Sequence, residues 1–225
     1  MHLETQRFTL GRMQNPVRGF LHGTAALLSV AGAIALWIRC AGGLSQRLAL
    51  LTFGLSLVAL YTVSSLYHSV PWSQRWKERM QRLDHSMIYV LVAGTYTPIA
   101  YIVLEGWLRW AALAGAWGIT AAGIAQKAFL PRLRPWFSVT LQTTQGWLAL
   151  PLFLPLAQRL PFEAVALAGL GGIFYTAGMV FYATQRPRLW PQVFSHHELF
   201  HVCVIAGSAA HYAMTFAYVA RFAGG

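Results

Sequence analysis

Long apolar runs alternate with short polar and basic segments along the whole chain. A helix needs about 20 apolar residues to cross the roughly 30 Å hydrocarbon core of a bilayer. Windows of that length fit the chain seven times, at 19–38, 48–69, 85–104, 107–126, 138–156, 164–184 and 198–220. Within each run the apolar residues are continuous rather than alternating, which favours helices over the strands of a membrane barrel. The pattern therefore predicts an all-α bundle of seven transmembrane helices.

Proline marks the predicted ends of several helices, because it lacks a backbone N–H and breaks the helical hydrogen-bond pattern. These prolines are Pro71, Pro131, Pro135, Pro161, Pro187 and Pro191. Pro98 lies inside the third window instead, where we expect it to kink the helix. No linker or repeat separates the windows, so we predict a single domain over residues 19–225, preceded by a short cytoplasmic segment at 1–18.

The composition agrees with a membrane protein, since 56% of the 225 residues are hydrophobic, 10% are charged and the mean hydropathy is +0.49. Soluble domains carry about 25% charged residues. The net charge of +11 does not indicate nucleic-acid binding, because Lys and Arg lie in short segments between the apolar runs, where they contact lipid headgroups. Cys40 and Cys203 lie too far apart in this topology to predict a disulfide or a thiolate metal site.

The distribution of Lys and Arg predicts the orientation of the bundle. With seven crossings, 12 of the 17 basic residues fall on the side of the N-terminus and five on the other side. Cytoplasmic loops carry the excess of basic residues in membrane proteins. The N-terminus is therefore predicted to be cytoplasmic and the C-terminus outside, in a multi-pass protein of the inner (plasma) membrane.

Five polar side chains from three predicted helices are expected at one membrane depth, near the cytoplasmic ends. His197 and His201 are four residues apart, so both project from one helix face. His68 ends the second window, Asp84 precedes the third, and Ser64 lies one turn before His68. Three imidazoles can hold Zn²⁺ and leave one tetrahedral position for water. We predict these three histidines as metal ligands, Asp84 as the carboxylate that holds the water, and Ser64 as a hydrogen-bond donor.

Simpler interpretations exist for each residue taken alone. His68 could be an interfacial residue at a helix end, and Asp84 could be the N-cap of the third helix. His22 could lie near the site, whereas His211 is about 15 Å beyond His201 along a helix and out of reach. Bis-histidine haem ligation is disfavoured, because it needs one ligand on each of two facing helices. Two further histidines are expected beside the site rather than in it: His85 and His196.

At these residues the chain resembles the hemolysin III family, the bacterial branch of the progestin and adipoQ receptor family. The resemblance consists of S-x-x-x-H from Ser64 to His68, Asp84 followed by His85 and the run AGTYTP, and H-x-x-x-H from His197 to His201. It implies seven helices, a cytoplasmic N-terminus, zinc held by the three histidines, and a zinc-bound water held by Asp84 next to Ser64. The long N-terminal segment of the eukaryotic receptors is missing, so the resemblance does not imply adiponectin recognition.

The resemblance also implies candidate activities. Eukaryotic relatives and the similar alkaline ceramidases are associated with hydrolysis of the ceramide amide bond, which implies a zinc-dependent hydrolase of a lipid amide or ester with membrane lipids as partners. Two alternatives remain open at this point. One is a receptor or structural protein in which zinc clamps helices together, and the other is the pore-forming cytolysis that the hemolysin name suggests.

Overall fold

The computed structural model describes residues 9–130, 135–190 and 192–222, and these form helices and no β-strand. The α-helices are α1 Pro16–Arg39, α2 Leu44–Ser69, α3 Gln74–Pro98, α4 Gly106–Phe129, α5 Pro135–Trp147, α6 Phe153–Ala157, α7 Phe162–Thr184 and α8 His196–Met214. Two helices continue as π-helix, α3 through Ile99–Val103 and α8 through Thr215–Val219, and the 3₁₀ turn Leu150–Leu152 precedes α6. The predicted all-α fold is confirmed for this part of the chain. Residues 1–8, Pro131 and Pro191 lie outside the described residues.

Five helices in the described part of the chain have the length and hydropathy that crossing a membrane requires. They are α1, α2, α3 with its π-helical extension, α7, and α8 with its extension. The helix α4 has 24 residues, but its glycines, its tryptophans and Arg109 lower its mean hydropathy. The chain is thus a multi-pass helical membrane protein. The predicted seven crossings would require α4 and the region of α5 and α6 to cross the membrane as well.

The predicted fifth helix, 138–156, was wrong as a single element. The structure divides it into α5, the 3₁₀ turn and the short α6. Pro151 and Pro155 lie in the second half of the window. A proline removes a backbone donor and clashes with the carbonyl four residues earlier, so the α-helical pattern ends at Trp147. Hydropathy does not detect this break, because proline and its apolar neighbours leave the window hydrophobic.

The helix α3 begins about three turns earlier than its apolar window predicted. Its N-cap is Ser73, so Asp84 lies in the interior of the helix and is not the N-cap. At the other end, the α-helix changes to π-helix directly after Pro98, which is where the sequence predicts a disturbance. Because α3 begins at Gln74, Asp84 lies inside a continuous helix and follows the basic first turns of that helix.

The helices pack in sequence order, with α1 against α2, α2 against α3, α3 against α4 and α7 against α8. The last helix, α8, returns to α1 and closes this part of the bundle. Two glycines allow the close approaches: a Cβ on Gly54 would lie 2.9 Å from the Cα of Ala33, and one on Gly94 would meet the side chain of Ser56. Small residues of this kind are typical of membrane helix interfaces, where packing replaces the hydrophobic driving force.

Candidate metal centre

The start of α8 is fixed by a capping box. Ser195 is the N-cap, its side chain accepts from the N3 backbone, and the Glu198 carboxylate accepts from the Ser195 N–H at 2.8 Å. These contacts satisfy backbone donors that a helix start would leave unpaired. His197 and His201 therefore lie in the first two turns of a well-defined helix and project from one face.

The three predicted ligands meet at the junction of α2 and α8, and we call them the histidine cluster: His68, His197 and His201. One ring nitrogen from each lies within 4.8 Å of the others. Their ring centroids are 4.9–5.5 Å apart, and His68 and His201 are 4% and 2% exposed. Tetrahedral zinc with Zn–N bonds of 2.0–2.1 Å separates its nitrogens by about 3.3 Å, which lies inside the 4.8 Å limit of this arrangement. The donor set fits a metal ion, and the cluster could hold one.

Main-chain contacts place His68 at this junction. It lies in the last turn of α2, where its carbonyl accepts a hydrogen bond from the N–H of Asn15, the residue before α1, at 3.1 Å. One turn away, the Ser65 hydroxyl donates to the Gly19 carbonyl at 2.8 Å. The end of α2 is therefore tied to the beginning of α1, which brings α1 close to the histidine cluster.

Asp84 and Ser64 lie together beside the histidine cluster. The Ser64 hydroxyl hydrogen-bonds the Asp84 carboxylate, and both side chains line the same cavity as the three histidines. Ser64 is buried, and the Asp84 side chain is 13% exposed. Asp84 is not part of the group whose nitrogens converge. This placement suits a carboxylate next to a metal rather than a ligand, and the catalytic roles of Asp84 and Ser64 remain predictions.

The other histidines occupy different environments. The Nδ1 atom of His85 is 2.6 Å from the Gln81 carbonyl, in a hydrogen bond within α3. His196 lies at the N-terminal end of α8 with its Nδ1 atom 3.4 Å from the Ser195 hydroxyl. His211 stacks on Tyr175 at a centroid distance of 5.6 Å, away from the cluster.

Sequence reasoning gave too little weight to two residues of α1. The His22 ring, which is 3% exposed, has its Nε2 atom 2.8 Å from the Nδ1 atom of His201. One turn earlier, the Nε atom of Arg18 is 2.6 Å from a Glu198 carboxylate oxygen, in an ion pair whose side chains are 5% and 8% exposed. The signal in the sequence was the four-residue spacing of Arg18 and His22, which matches that of His197 and His201.

A large cavity extends from the histidine cluster into the bundle, with a volume of about 1320 Å³. Polar side chains other than the cluster line it too, among them Gln142 and His211, and so do the charged residues Glu78, Arg82 and Lys127. Apolar side chains of α3, α5, the 3₁₀ turn, α6 and α7 also line the cavity, including Ile88, Leu150, Phe153, Ile173 and Val180. A large, mainly apolar cavity with a polar site in its wall suits the chemistry of a lipid with a polar head and an acyl chain.

The chain is similar to known proteins over most of its length. Residues 11–212 match the family described as "Haemolysin-III related". The chain is 35% identical to the "Hemolysin-3 homolog" of Bacillus subtilis (strain 168) over 191 residues, covering 84% of this chain and 86% of that protein. It is 34% identical to "Hemolysin-3" of Bacillus cereus over 200 residues, covering 88% of each.

A plant protein shows a weaker similarity. The chain is 31% identical over 157 residues to "Heptahelical transmembrane protein ADIPOR1" of Oryza sativa subsp. japonica, covering 61% of this chain and 41% of the plant protein. This similarity supports the relationship to adiponectin receptor-like proteins. From the family match and its apolar helices, we conclude that this chain is a multi-pass protein of the bacterial plasma membrane and belongs to the haemolysin-III related family.

Proposed function

We propose that this protein is a zinc-dependent hydrolase of a lipid amide or ester. One observation carries the proposal: three converging imidazoles and a hydrogen-bonded carboxylate and hydroxyl line a single, mainly apolar cavity. Ionisable groups at membrane depth are costly, and they mark functional sites when they gather around a cavity. The neutral nitrogen donors of the histidine cluster suit zinc, and three ligands leave a fourth position open, as in catalytic rather than structural zinc sites.

Bound zinc supplies Lewis acidity, which polarises a carbonyl and lowers the pKa of water toward about 7. The residues of the chain do the rest. Asp84 accepts the proton of the attacking water and passes it to the leaving amine or alcohol. Ser64 holds the Asp84 carboxylate in place through their hydrogen bond. The apolar body of the cavity binds the acyl chain and excludes water, so that the amide or ester lies next to the histidine cluster.

The proposal includes seven crossings with the N-terminus in the cytoplasm, which places the cavity opening near the inner leaflet. Support comes from the excess of Lys and Arg on one side, with 12 of 17 there. The plant relative is itself called heptahelical. In this topology the basic first turns of α3 contact the anionic headgroups around the site.

The test is lipid turnover by purified protein loaded with zinc, for wild type and Asp84→Asn. The substitution removes the proton acceptor but leaves the three ligands, so we expect turnover to fall about 10²–10⁴-fold with zinc still bound. Glu78→Gln is a matched control, because it removes another carboxylate from the cavity edge on the same helix. Candidate substrates are N-acyl sphingoid bases and glycerolipid esters. Unchanged turnover in Asp84→Asn, or no turnover of any lipid class by zinc-loaded wild type, would overturn the proposal.

A non-catalytic role is the main alternative, and it is favoured by one observation. The histidine cluster joins the end of α2 to the start of α8, so a bound ion would also clamp these helices. That role predicts a zinc-dependent melting temperature without lipid turnover. Pore formation, suggested by the names of the Bacillus relatives, predicts release of dye from liposomes by wild type and by Asp84→Asn equally.

A further inference from the structure

The first helix makes two polar contacts with the first turns of α8, one turn apart. Arg18 pairs with Glu198, and His22 contacts His201. All four side chains are buried. A residue and the one four positions later project from the same helix face, so α1 presents both groups to α8 at once. These two contacts with α1 hold the segment of α8 that carries His197 and His201, and they do not require a bound metal.

The contact between the two imidazoles determines which nitrogen of His201 is available. A neutral imidazole has one donor and one acceptor nitrogen, and a metal ligand must present the acceptor. The His201 Nδ1 atom is 2.8 Å from the His22 Nε2 atom, so Nδ1 is engaged and Nε2 remains for a metal. The arrangement that allows ligation has Nδ1–H of His201 donating to Nε2 of His22.

Packing fixes the His22 ring in the position that this hydrogen bond requires. The ring lies edge-on to Tyr61 at a centroid distance of 5.0 Å, and its centroid is 4.0 Å from that of His201. Among the described residues, the Nδ1 atom of His22 has no hydrogen-bond partner. A buried imidazole with one unsatisfied nitrogen lowers the stability of the fold, so its contact with His201 is the feature that accounts for a histidine at this position.

We propose that His22 is a positioning residue of the metal centre: it accepts the Nδ1–H of His201 and thereby directs the His201 Nε2 atom toward His68 and His197. This inference rests on the proposed function only in requiring that the histidine cluster binds zinc. His22 itself does not belong to the group of converging nitrogens. Partners that receive the second N–H of a metal-bound histidine typically change metal affinity 10–100-fold when they are removed.

The experiment compares zinc affinity, measured by competition with a chelator, in three full-length variants and wild type. His22→Leu removes the acceptor, and we expect zinc affinity to fall about 10–100-fold. His22→Gln places an amide oxygen within similar reach, and we expect it to restore most of that affinity. Ser29→Ala is the control, because Ser29 is also buried on α1 and its hydroxyl donates to the Ala25 carbonyl of its own helix at 2.7 Å.

A spectroscopic measurement separates orientation of His201 from general packing. With Co²⁺ in place of zinc, His22→Leu should alter the visible absorption bands, whereas His22→Gln and Ser29→Ala should keep the wild-type spectrum. Zinc affinity and Co²⁺ spectra of His22→Leu equal to wild type would overturn the proposal. So would a His22→Gln protein that binds zinc no better than His22→Leu, because that result would mean that ring packing alone matters.

Wild-type protein provides a test that does not depend on the folding of any variant. In zinc-loaded protein labelled with ¹⁵N-histidine, we expect an NMR coupling across the hydrogen bond between Nδ1 of His201 and Nε2 of His22. Its absence, with the two resonances assigned, would contradict the proposal. These experiments measure metal binding and not hydrolysis. A failure of lipid turnover would therefore overturn the proposed function but would not decide whether His22 orients His201.

Discussion

Two polar clusters lie on α8, and they differ in how the hydrogen-bonding groups of their side chains find partners. The histidine cluster occupies the first two turns. Two turns after His201, Ser208 accepts a hydrogen bond from Tyr61 at 2.7 Å and pairs with Tyr175 at 2.9 Å. We call these three residues, Tyr61, Tyr175 and Ser208, the hydroxyl cluster. Each cluster joins α8 to other helices and has two buried members and one half-buried member, His197 in the first and Tyr175 in the second.

The difference between them is chemical. A hydroxyl group donates and accepts, so three hydroxyls can satisfy one another, and the hydroxyl cluster needs nothing from outside the protein. Imidazole nitrogens that converge within 4.8 Å are best completed by a cation. A buried polar cluster in a membrane protein is therefore not by itself a sign of function. The chemistry of the converging atoms decides whether the cluster is structural or a binding site.

The largest expected effect is loss of zinc from His197→Ala. Removing one of three ligands should weaken zinc binding more than a hundred-fold, beyond the range seen for residues that only support a ligand. Elemental analysis of the purified variant beside wild type, after dialysis against a weak chelator, measures this. His197 is less buried than His201, so its truncation leaves a smaller cavity. If His197→Ala retained one zinc per chain, the histidine cluster would not be the metal site that distinguishes it from the hydroxyl cluster.

A moderate effect is expected from Ser208→Ala. It removes the central member of the hydroxyl cluster, while Tyr61 keeps a longer contact with the Val204 carbonyl at 3.4 Å. Hydrogen bonds between membrane helices contribute about 0.6–1.7 kcal/mol, so the free energy of unfolding should fall by that amount. Thermal unfolding in detergent checks the stability, and elemental analysis should find the zinc content of wild type. Loss of zinc from Ser208→Ala would show that the clusters are coupled.

The smallest effect is expected at a third polar contact, outside the membrane-spanning helices. Arg159 makes hydrogen-bonded contacts of 2.7 Å with both carboxylate oxygens of Glu105, and this lowers the pKa of the Glu105 carboxyl below its ordinary value of 4.5. Because the folded-state pKa is the lower one, the pair stabilises the protein above about pH 4.5 and the contribution is lost as the pH falls through the folded value.

Melting temperatures of wild type and Glu105→Gln measure that contribution. Wild type should melt slightly higher at pH 7, and the difference should shrink as the pH falls below 4.5. At pH 7 it should be smaller than the difference caused by Ser208→Ala. The contact is exposed, and exposed ion pairs contribute little. A difference that grows as the pH falls would have the wrong sign and would refute the assignment.

The sequence was sufficient to predict the histidine cluster because two simple rules apply to it. Residues four apart share a helix face, and the positions of helix ends show which side chains lie at one depth. His68 and His201 were brought together by these rules alone. The same rules failed for α5 and α6, because a hydropathy window measures apolarity and not the backbone donors that Pro151 and Pro155 lack.

Arg18 was assigned to the segment before the first helix, whereas the structure places it inside α1 and buries it. A charge ends an apolar window, so hydropathy predicts that the helix begins at Gly19. In the folded protein the Glu198 carboxylate compensates the charge of Arg18. The residues around Arg18 in the sequence do not indicate that Glu198 lies beside it. His22 was undervalued for the same reason, because its partner is on the last helix.

The contacts of α1 with α8 also set an order for biogenesis. Arg18 and Glu198 are 180 residues apart. Because ribosomes add roughly 5–20 residues per second, Arg18 is synthesised roughly ten to forty seconds before Glu198. The histidine cluster is likewise complete only when α8, which carries His197 and His201, has been synthesised. A chain truncated before α8 lacks Glu198, so the Arg18 guanidinium of such a chain loses this buried carboxylate partner.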